Sequence, residues 1–186
     1  ETFNTGFVAD PHGAAEPMDG PTHDWMASVA KQKDCVVTGS LIVDDLGTFY
    51  NRLIWMRPNG SYDYYDKRHR FSMAGEDARF GRGSRKIITE IKGWRVSPLI
   101  CYDLRFPVWS KNRLMDGNPE YDILIYVANW PEARNYAWKS LLIARAIENQ
   151  SYVIGVNRIN ADGNDIPHSG DSVMLDPAGN ALTNIL

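Results

Sequence analysis

A cysteine stands where an apolar run gives way to polar residues. Residues 96–107 read VSPLICYDLRFP, so Cys101 closes a stretch with the pattern of a buried strand, and a tyrosine and an acid follow it at once. A free cysteine is most often inert packing in a core. However, ligands of α/β proteins gather outside the carboxyl ends of strands, and the first amides of a following helix can receive a negative oxygen. Cys101 is therefore either a core residue or a nucleophile held on a strand-to-helix turn.

A nucleophilic thiol in this position needs a helper, because only a few per cent of an ordinary cysteine is thiolate at neutral pH. Lys67 and His69 follow a short β-rich segment and stand at its end. By spacing alone, Lys67 is an exposed lysine on a turn, whereas His69 would give an ordinary Cys–His pair. Asp103 can be either a base or a helix cap. The residues by themselves leave these alternatives open.

Periodicity and turn residues predict the elements that must position these side chains. A helix capped by Thr22 or Asp24 precedes an antiparallel meander, a hairpin ends at Cys101, and buried strands then alternate with helices. This order predicts a layered α/β domain with mixed sheets, of which two can stack with helices outside. The predicted helices are 22–33, 106–115 and 133–150, and the predicted strands are 35–43, 48–56, 62–65, 87–91, 94–100, 122–127, 152–156, 171–175 and a final strand within 181–186.

The bulk composition excludes several classes of protein. The chain has 186 residues, of which 44% are hydrophobic and 23% charged, with a formal net charge of -3. This length favours one domain, and no apolar run approaches the ~20 residues of a membrane span. The basic runs at 67–70 and 82–86 are local and typical of solvated loops, so we expect no nucleic-acid partner.

The cysteine and histidine counts limit the remaining possibilities. Two cysteines, Cys35 and Cys101, are too few for a disulfide framework, and we expect a cytoplasmic protein with reduced thiols. The four histidines are scattered without the spacing of paired metal ligands, so a histidine-based metal site has little support.

Several ordered motifs resemble those of the nitrilase superfamily of carbon-nitrogen hydrolases. Residues 99–107, LICYDLRFP, resemble its nucleophile segment. The resemblance covers nearly the whole chain and implies an α-β-β-α sandwich with two stacked mixed sheets and helices outside. One departure is Arg82, which stands where the family has a proline. The other matching segments are YDKRH (65–69), EDARFGRG (76–83), ANWP (128–131), ARAIEN (144–149), GVNR (155–158), SGDS (169–172) and DPAG (176–179).

The resemblance implies a Glu–Lys–Cys mechanism. Glu1 would remove the Cys101 proton, the thiolate would attack an amide carbon, and Lys67 with a backbone N–H near Tyr102 would stabilise the oxyanion. Each such donor is worth roughly 3–4 kcal/mol in the transition state. Ammonia would leave, and water activated by Glu1 would hydrolyse the thioester. Glu76 resembles an additional glutamate that orients Lys67 or the substrate, its alternative being an ordinary loop acid. The scheme requires no metal or organic cofactor.

The segments YDLRFP and ANWP resemble the omega-amidase branch of the family, which acts on amides of 2-oxo dicarboxylic acids such as 2-oxoglutaramate. The free carboxylate of such a substrate needs a cation. Arg105 or Arg134 could supply it, although both could equally be structural ion-pair partners. Tyr102 and Trp130 could line the pocket, with Trp130 in the core as the alternative reading.

The family also sets expectations for the size and assembly of the protein. If Glu1 is the catalytic base, the single hydrolase domain at 1–186 lacks its first strand and helix, and its C-terminal end is missing as well. We therefore expect a truncated domain or undetermined preceding residues. Since the family commonly pairs two sandwiches, we also expect a homodimer that binds only a small-molecule amide.

Other functions remain open at this point. One is a nitrilase or another aliphatic amidase. A second is a Cys–His hydrolase or acyltransferase that uses His69 or His168. A third is a catalytically silent binding member of the same fold.

Overall fold

The computed structural model describes residues 1–183, which form two compact units. The N-terminal unit comprises Thr2–Ile87, and the C-terminal unit comprises residues 88–183 together with Glu1. Each unit is built on its own sheet. Among the described residues, none of the helices is both long and apolar enough to cross a membrane.

The N-terminal unit is an antiparallel sheet of three strands, in the order β1-β2-β3, with a helix on one face. Its elements are α1 (Pro21–Lys33), β1 (Val37–Asp45), β2 (Thr48–Met56), β3 (Tyr62–Asp66) and, after a 3₁₀ turn at Ser72–Ala74, the single-turn α2 (Glu76–Arg79). Alternate residues of β1 and β2 pack against α1 in one apolar cluster, as the two-residue period of a strand requires. The cluster contains Met26, Ala30, Leu41, Val43, Ile54 and Met56.

The start of α1 differs from the prediction. Gly20 is the N-cap and Pro21 occupies the first turn, where its missing N–H is no loss. Thr22 caps nothing, because its hydroxyl and its backbone N–H both donate to the carboxylate of Glu16, at 2.5 and 2.8 Å. The predicted caps, Thr22 and Asp24, were therefore wrong: Thr22 has a partner outside the helix, and Asp24 lies inside the first turn, where its N–H donates to the Gly20 carbonyl at 3.1 Å.

The C-terminal unit is built on a five-stranded mixed sheet with the order β12-β9-β8-β5-β4. Its three inner strands, β5, β8 and β9, are parallel to one another, and the two edge strands are antiparallel to their neighbours. Short hairpins β6-β7 and β10-β11 lie outside this sheet. The elements are β4 (Thr89–Ile91), β5 (Trp94–Ile100), α3 (Pro107–Ser110), β6 (Leu114–Met115), β7 (Asn118–Pro119), β8 (Ile123–Ala128), α4 (Asn135–Asn149), β9 (Tyr152–Asn157), β10 (Ile159–Ala161), β11 (Pro167–Ser169) and β12 (Val173–Leu175).

Helix α4 packs closely on β9 because β9 carries a glycine at the contact. A Cβ on Gly155 would lie 2.5 Å from Leu142 and 2.9 Å from Trp138, both of which are fully buried. The absence of that Cβ lets the two large side chains reach the sheet. The inner strand β8 is nearly all apolar and largely buried, as expected of a parallel strand covered on both faces.

The helix predicted over residues 106–115 is largely absent. Only α3, with four residues, forms, and Leu114 and Met115 begin a hairpin instead. Asp116 and Gly117 both have positive φ, at 51° and 82°, which is the backbone of a type I′ turn and suits the sequence Asp-Gly. The Asp-Gly turn signal at 116–117 therefore outweighed the apolar spacing that had suggested a helix.

The closing hairpin is shorter than predicted. Strand β12 begins at Val173, and the turn that follows is held by the Asp176 carboxylate, which accepts the N–H groups of Ala178 and Asn180 at 2.9 Å. Beyond it, Leu175 forms a single bridge to Ala181. The final strand predicted within 181–186 lies partly outside the described residues. Hairpin β10-β11 was not predicted.

Candidate active site

Cys101 sits at a strained strand-to-helix junction. It follows the last residue of β5 and begins a 3₁₀ turn at Cys101–Arg105, with φ at 41° in the left-handed region. A side chain there costs about 1–2 kcal/mol relative to ordinary backbone, and such strain concentrates at functional sites. The same strand–turn–helix geometry presents the nucleophile in hydrolases with a nucleophile elbow. Cys101 as a whole is buried, with 8% of the residue exposed.

Buried polar groups hold this turn in place. The Asp103 carboxylate accepts the N–H of Ile100 at 3.1 Å, so Asp103 acts as a cap, the alternative to a catalytic base. From α4, the buried Arg145 donates to the Leu104 carbonyl at 2.5 Å and to Glu148 at 2.8 Å. The turn that carries the thiol is therefore fixed from two sides.

The carboxyl ends of the neighbouring strands supply further predicted site residues. Asn157, which ends β9, clamps Trp130 by accepting its N–H at 2.7 Å and donating to its carbonyl at 3.1 Å. The guanidinium of Arg105 lies 5.0 Å from the centre of the Trp130 ring, within cation–π distance. Trp130 also donates its indole N–H to the Arg134 carbonyl at 2.9 Å. The structure thus brings Arg105, Trp130 and the Arg134 backbone together.

The N-terminal unit holds a buried ion pair. Lys67 follows β3, and its Nζ donates to both oxygens of the Glu76 carboxylate, at 2.8 and 3.1 Å. Each residue is only 1% exposed. Two charges can be buried so completely only if they are paired and hydrogen-bonded. The pairing supports the prediction that Glu76 orients Lys67, and it replaces the exposed lysine that spacing alone had suggested.

Two further groups complete the environment of Glu76, and sequence reasoning missed both. The Asn51 side-chain amide donates to Glu76 Oε1 at 3.2 Å, and the Phe71 backbone N–H donates to Oε2 at 2.6 Å. Asn51 lies inside strand β2, where asparagine is disfavoured. That mismatch between residue and strand was the available signal. Glu76 is fixed from three directions, and its carboxylate in turn fixes Lys67 Nζ.

The loop after α2 supports the same lysine. Gly83 donates its N–H to the Lys67 carbonyl at 3.0 Å, and its own carbonyl accepts from Arg68 at 3.0 Å. Arg70 likewise donates to the carbonyls of Asp77 and Phe80, at 3.2 and 2.7 Å. Part of the basic run at 67–70 thus braces local backbone, which corrects its interpretation as a solvated loop.

The remaining candidates are distributed between the two units. Glu1 is buried and belongs to the C-terminal unit, as Cys101 does, although the residue after it belongs to the other unit. Tyr102 follows the thiol directly, and its ring meets Phe106 edge-on at 5.3 Å. The rival bases lie elsewhere along the chain: His69 follows the Lys67 segment, and His168 lies buried in β11.

No group of three or more His, Cys, Asp or Glu side chains within residues 1–183 could hold a metal ion. The polar groups described above are amides, carboxylates, a lysine and a thiol. In the C-terminal unit, a thiol on strained backbone suits nucleophilic attack on a carbonyl group. In the N-terminal unit, a buried and oriented lysine is the kind of donor that stabilises an oxyanion. The class of protein that fold and site together suggest is a cysteine-dependent hydrolase.

Comparison with known proteins gives the family. A sequence model of the carbon-nitrogen hydrolases matches residues 1–184. The omega-amidase YafV of Escherichia coli (strain K12) is 41% identical over 182 residues, which are 98% of this chain and 69% of that protein. The 2-oxoglutaramate amidase of Bacillus subtilis (strain 168) is 34% identical over 185 residues, covering 98% of this chain and 70% of that protein.

The fold comparison agrees. XC1258 from Xanthomonas campestris, a CN-hydrolase superfamily protein solved with an arsenic adduct in its active site, superimposes with a TM-score of 0.97. It is 44% identical, and the match covers 100% of this chain and 71% of XC1258. Nit3 of Saccharomyces cerevisiae, a nitrilase-superfamily member, has a TM-score of 0.83 at 22% identity, over 98% of this chain and 69% of its own, and supports the fold alone.

The chain belongs to the carbon-nitrogen hydrolase family. It is an enzyme that hydrolyses an amide carbon–nitrogen bond. The predicted superfamily, its nitrilase-like α/β fold class and the resemblance to the omega-amidase branch are thereby confirmed.

Proposed function

We propose that this enzyme hydrolyses the terminal amide of small 2-oxo dicarboxylic acid monoamides, such as 2-oxoglutaramate, and releases ammonia. The observation that carries the proposal is the left-handed, strained backbone at Cys101 on the end of a buried strand. The similarity to omega-amidase YafV and to a 2-oxoglutaramate amidase supports the choice of substrate.

In the proposed reaction, Glu1 accepts the Cys101 thiol proton and the sulfur forms a bond to the amide carbon. The carbonyl oxygen becomes an oxyanion, which accepts hydrogen bonds from Lys67 Nζ and from a backbone N–H near Tyr102. When the carbon–nitrogen bond breaks, Glu1 returns the proton to the departing nitrogen, and ammonia leaves a thioester on Cys101. Glu1 then takes a proton from water, whose oxygen attacks the thioester carbon. When the carbon–sulfur bond breaks, Glu1 returns that proton to the sulfur, which frees the acid and restores the Cys101 thiol. Each oxyanion donor contributes about 3–4 kcal/mol.

The buried ion pair suits the role proposed for Lys67. An oxyanion donor must be aimed before the charge develops, since reorientation during the reaction would cancel its benefit. Lys67 Nζ is anchored on both oxygens of Glu76, and the carboxylate is itself held by Asn51 and Phe71. We propose that Glu76 keeps Lys67 charged and oriented.

Substrate selection would depend on residues that follow the carboxyl ends of β5 and β8. A 2-oxo dicarboxylic monoamide carries a carboxylate beside its oxo group, and a guanidinium recognises such an anion by paired hydrogen bonds. Arg105 is exposed and lies over the Trp130 ring, so it combines a charge with an aromatic wall. Arg134 is also exposed and remains the second proposed carboxylate partner. Tyr102 is proposed as a further part of the pocket wall.

The test is an ammonia-release assay across 2-oxoglutaramate, simple aliphatic amides and nitriles. We expect 2-oxoglutaramate to give the highest kcat/KM. In the Arg105→Ala variant, KM for 2-oxoglutaramate should rise about tenfold while KM for a neutral aliphatic amide changes less than about twofold. A preference for nitriles or for neutral amides would overturn the proposed substrate.

Mass spectrometry after incubation with substrate tests the covalent step separately. We expect an acyl mass on Cys101 and none in the Cys101→Ala variant, with Cys35 in the same chain as the internal control. Ammonia release without any adduct on Cys101 would overturn the thioester route, and neither adduct nor ammonia would indicate the silent alternative. The cytoplasmic location, the homodimer and the single domain at 1–186 stay predictions, and size-exclusion chromatography with light scattering checks the dimer.

A further inference from the structure

The N-terminal unit also buries an arginine, Arg52, whose register partner Asp66 directly precedes Lys67. Arg52 is 4% exposed and donates to both oxygens of Asp66, from Nε at 2.7 Å and from Nη2 at 3.0 Å. Nη2 also donates to Asp45 at 2.9 Å. The guanidinium lies 4.1 Å from the centre of the Tyr64 ring. One residue therefore ties β2 to β3 and to the end of β1.

The strand register places this network back to back with the lysine site. Arg52 is the register partner of Asp66, and the Lys67 N–H donates to the Asn51 carbonyl at 2.9 Å, which continues the same pairing. Successive residues of a strand point to opposite faces. Arg52 and Asp66 therefore lie on the face that α1 covers, with Ile54 and Met56, whereas Asn51 and Lys67 point to the other face.

Stability alone does not explain a buried arginine on the helix-covered face of β2. The neighbouring positions on the helix-covered face, Ile54 and Met56, are fully buried and apolar. Replacing a buried ion pair by apolar residues of similar size is often neutral or stabilising, and the best-attested use of such a pair is to fix register. A slip of one residue in β3 would turn Lys67 to the wrong face. The Arg52–Asp66 pair stabilises only the register that places Lys67 on Glu76.

We propose that Arg52 is a positioning residue, which locks the end of β3 through Asp66 so that Lys67 Nζ stays directed at Glu76. This inference rests on the proposed role of Lys67 in catalysis. In this role Arg52 acts through Asp66, whose carboxylate it holds by two hydrogen bonds. Its paired hydrogen bonds to one carboxylate are a geometry that a lysine cannot reproduce.

The N-terminal unit offers a matched control. Arg57 follows β2 and pairs with Asp63 of β3, so it also joins these two strands by an arginine–aspartate contact. That pair lies at the other end of β3 and is partly exposed. It should contribute to the sheet without directing Lys67.

The experiment compares Arg52→Met/Asp66→Leu with Arg57→Met/Asp63→Leu. For the first variant we expect kcat to fall at least about tenfold with KM changed less than about twofold, because a small displacement of an aimed donor is costly. The single variant Arg52→Lys, which keeps the charge, should also have a kcat below that of wild type. Three outcomes would each overturn the inference. They are an unchanged kcat in the first double variant, a wild-type kcat in Arg52→Lys, and an equal loss of kcat in the Arg57 control.

Hydrogen exchange separates this inference from the proposed function. The amide protons of Lys67 and Gly83 are bonded to Asn51 and Lys67, and we expect both to exchange about tenfold faster in Arg52→Met/Asp66→Leu and unchanged in the Arg57 control. Unchanged exchange in the Arg52 variant would overturn the positioning role whatever the enzyme hydrolyses. If wild-type protein released no ammonia from any amide, the proposed function would fail while the exchange result still decided whether Arg52 holds Lys67 in place.

Discussion

The two units hold their principal polar groups by different means. In the N-terminal unit, Lys67 is buried and directed by hydrogen bonds to Glu76, which has partners of its own. In the C-terminal unit, Cys101 is directed by the backbone, which adopts a left-handed φ at the end of β5. A charged donor can be buried only with its counter-charge, whereas a thiol side chain can be buried without a counter-charge and is presented by the backbone that carries it. The difference shows why one site is built from side chains and the other from a turn.

The largest effect is expected when the buried lysine of the N-terminal unit is removed. We expect Lys67→Ala to lower kcat/KM about 1,000-fold or more, because the proposed oxyanion donor is lost and the buried Glu76 is left uncompensated. His69→Ala should stay within about threefold of wild type. Ammonia release from 2-oxoglutaramate measures both. The opposite ranking would favour the Cys–His alternative.

The next effect concerns stability. Glu76→Gln should lower the free energy of unfolding by about 3–5 kcal/mol, since it leaves the Lys67 ammonium buried without its counter-charge. Asp63→Asn, which breaks the partly exposed pair with Arg57, should cost about 1 kcal/mol or less. Urea unfolding measures both variants. Equal costs would mean that Lys67 and Glu76 are less buried than described.

A third prediction sharpens the account of the cysteine turn. Cys101→Gly should be more stable than Cys101→Ala by about 1 kcal/mol, because glycine adopts a positive φ without the steric penalty. Both variants should lack activity. Thermal and urea unfolding of the pair provide the measurement. If Cys101→Ala proved as stable as Cys101→Gly, the thiol would not sit on strained backbone.

The smallest effect distinguishes a surface ion pair from the buried one. At the amino end of β8, Asp122 accepts hydrogen bonds from the Arg95 side chain at 2.6 and 3.1 Å, and these bonds hold the pKa of Asp122 below its ordinary value. A carboxyl group whose pKa is lowered in the folded protein stabilises the fold at pH values above its ordinary pKa. This contribution is lost as the pH falls through the lowered pKa.

Asp122→Asn should therefore cost about 1 kcal/mol at neutral pH, and the cost should shrink as the pH drops below about 4. Urea unfolding of wild type and variant over that range is the measurement. A cost that is the same at every pH would show that the side chain contributes through packing rather than through its charge.

Local signals were enough to predict most of the sheets. The apolar runs that became β5, β8 and β9 stop within two residues of where the strands end, because each is followed by polar residues. Strand β2 was predicted with its observed bounds since a turn signal flanks it on each side. The helix predicted over residues 106–115 was wrong. The apolar spacing there suits a helix, but the Asp-Gly pair at 116–117 forms a turn, and the residues before it join a hairpin.

The candidate site was only partly predictable. Cys101, Lys67 and Glu76 stand in recognisable motifs, but their environments depend on contacts between residues distant in sequence. Asn51 is 25 residues from Glu76 and carries no motif. Arg52 pairs with Asp66 across the sheet, 14 residues away, and only the strand register reveals that they meet. Sequence spacing shows which groups are present, and the three-dimensional fold determines which of them are neighbours.

One small residue makes the lysine site intolerant of variation. A Cβ at Gly83 would lie 1.9 Å from the Asp66 carbonyl oxygen, which is backbone and has nowhere to retreat. Even alanine would force the loop or the strand end to give way, so the narrowest mutational tolerance in this region is expected at a position with no chemistry of its own. A saturation library scored for turnover should leave residue 83 unchanged almost as strictly as the proposed nucleophile, Cys101.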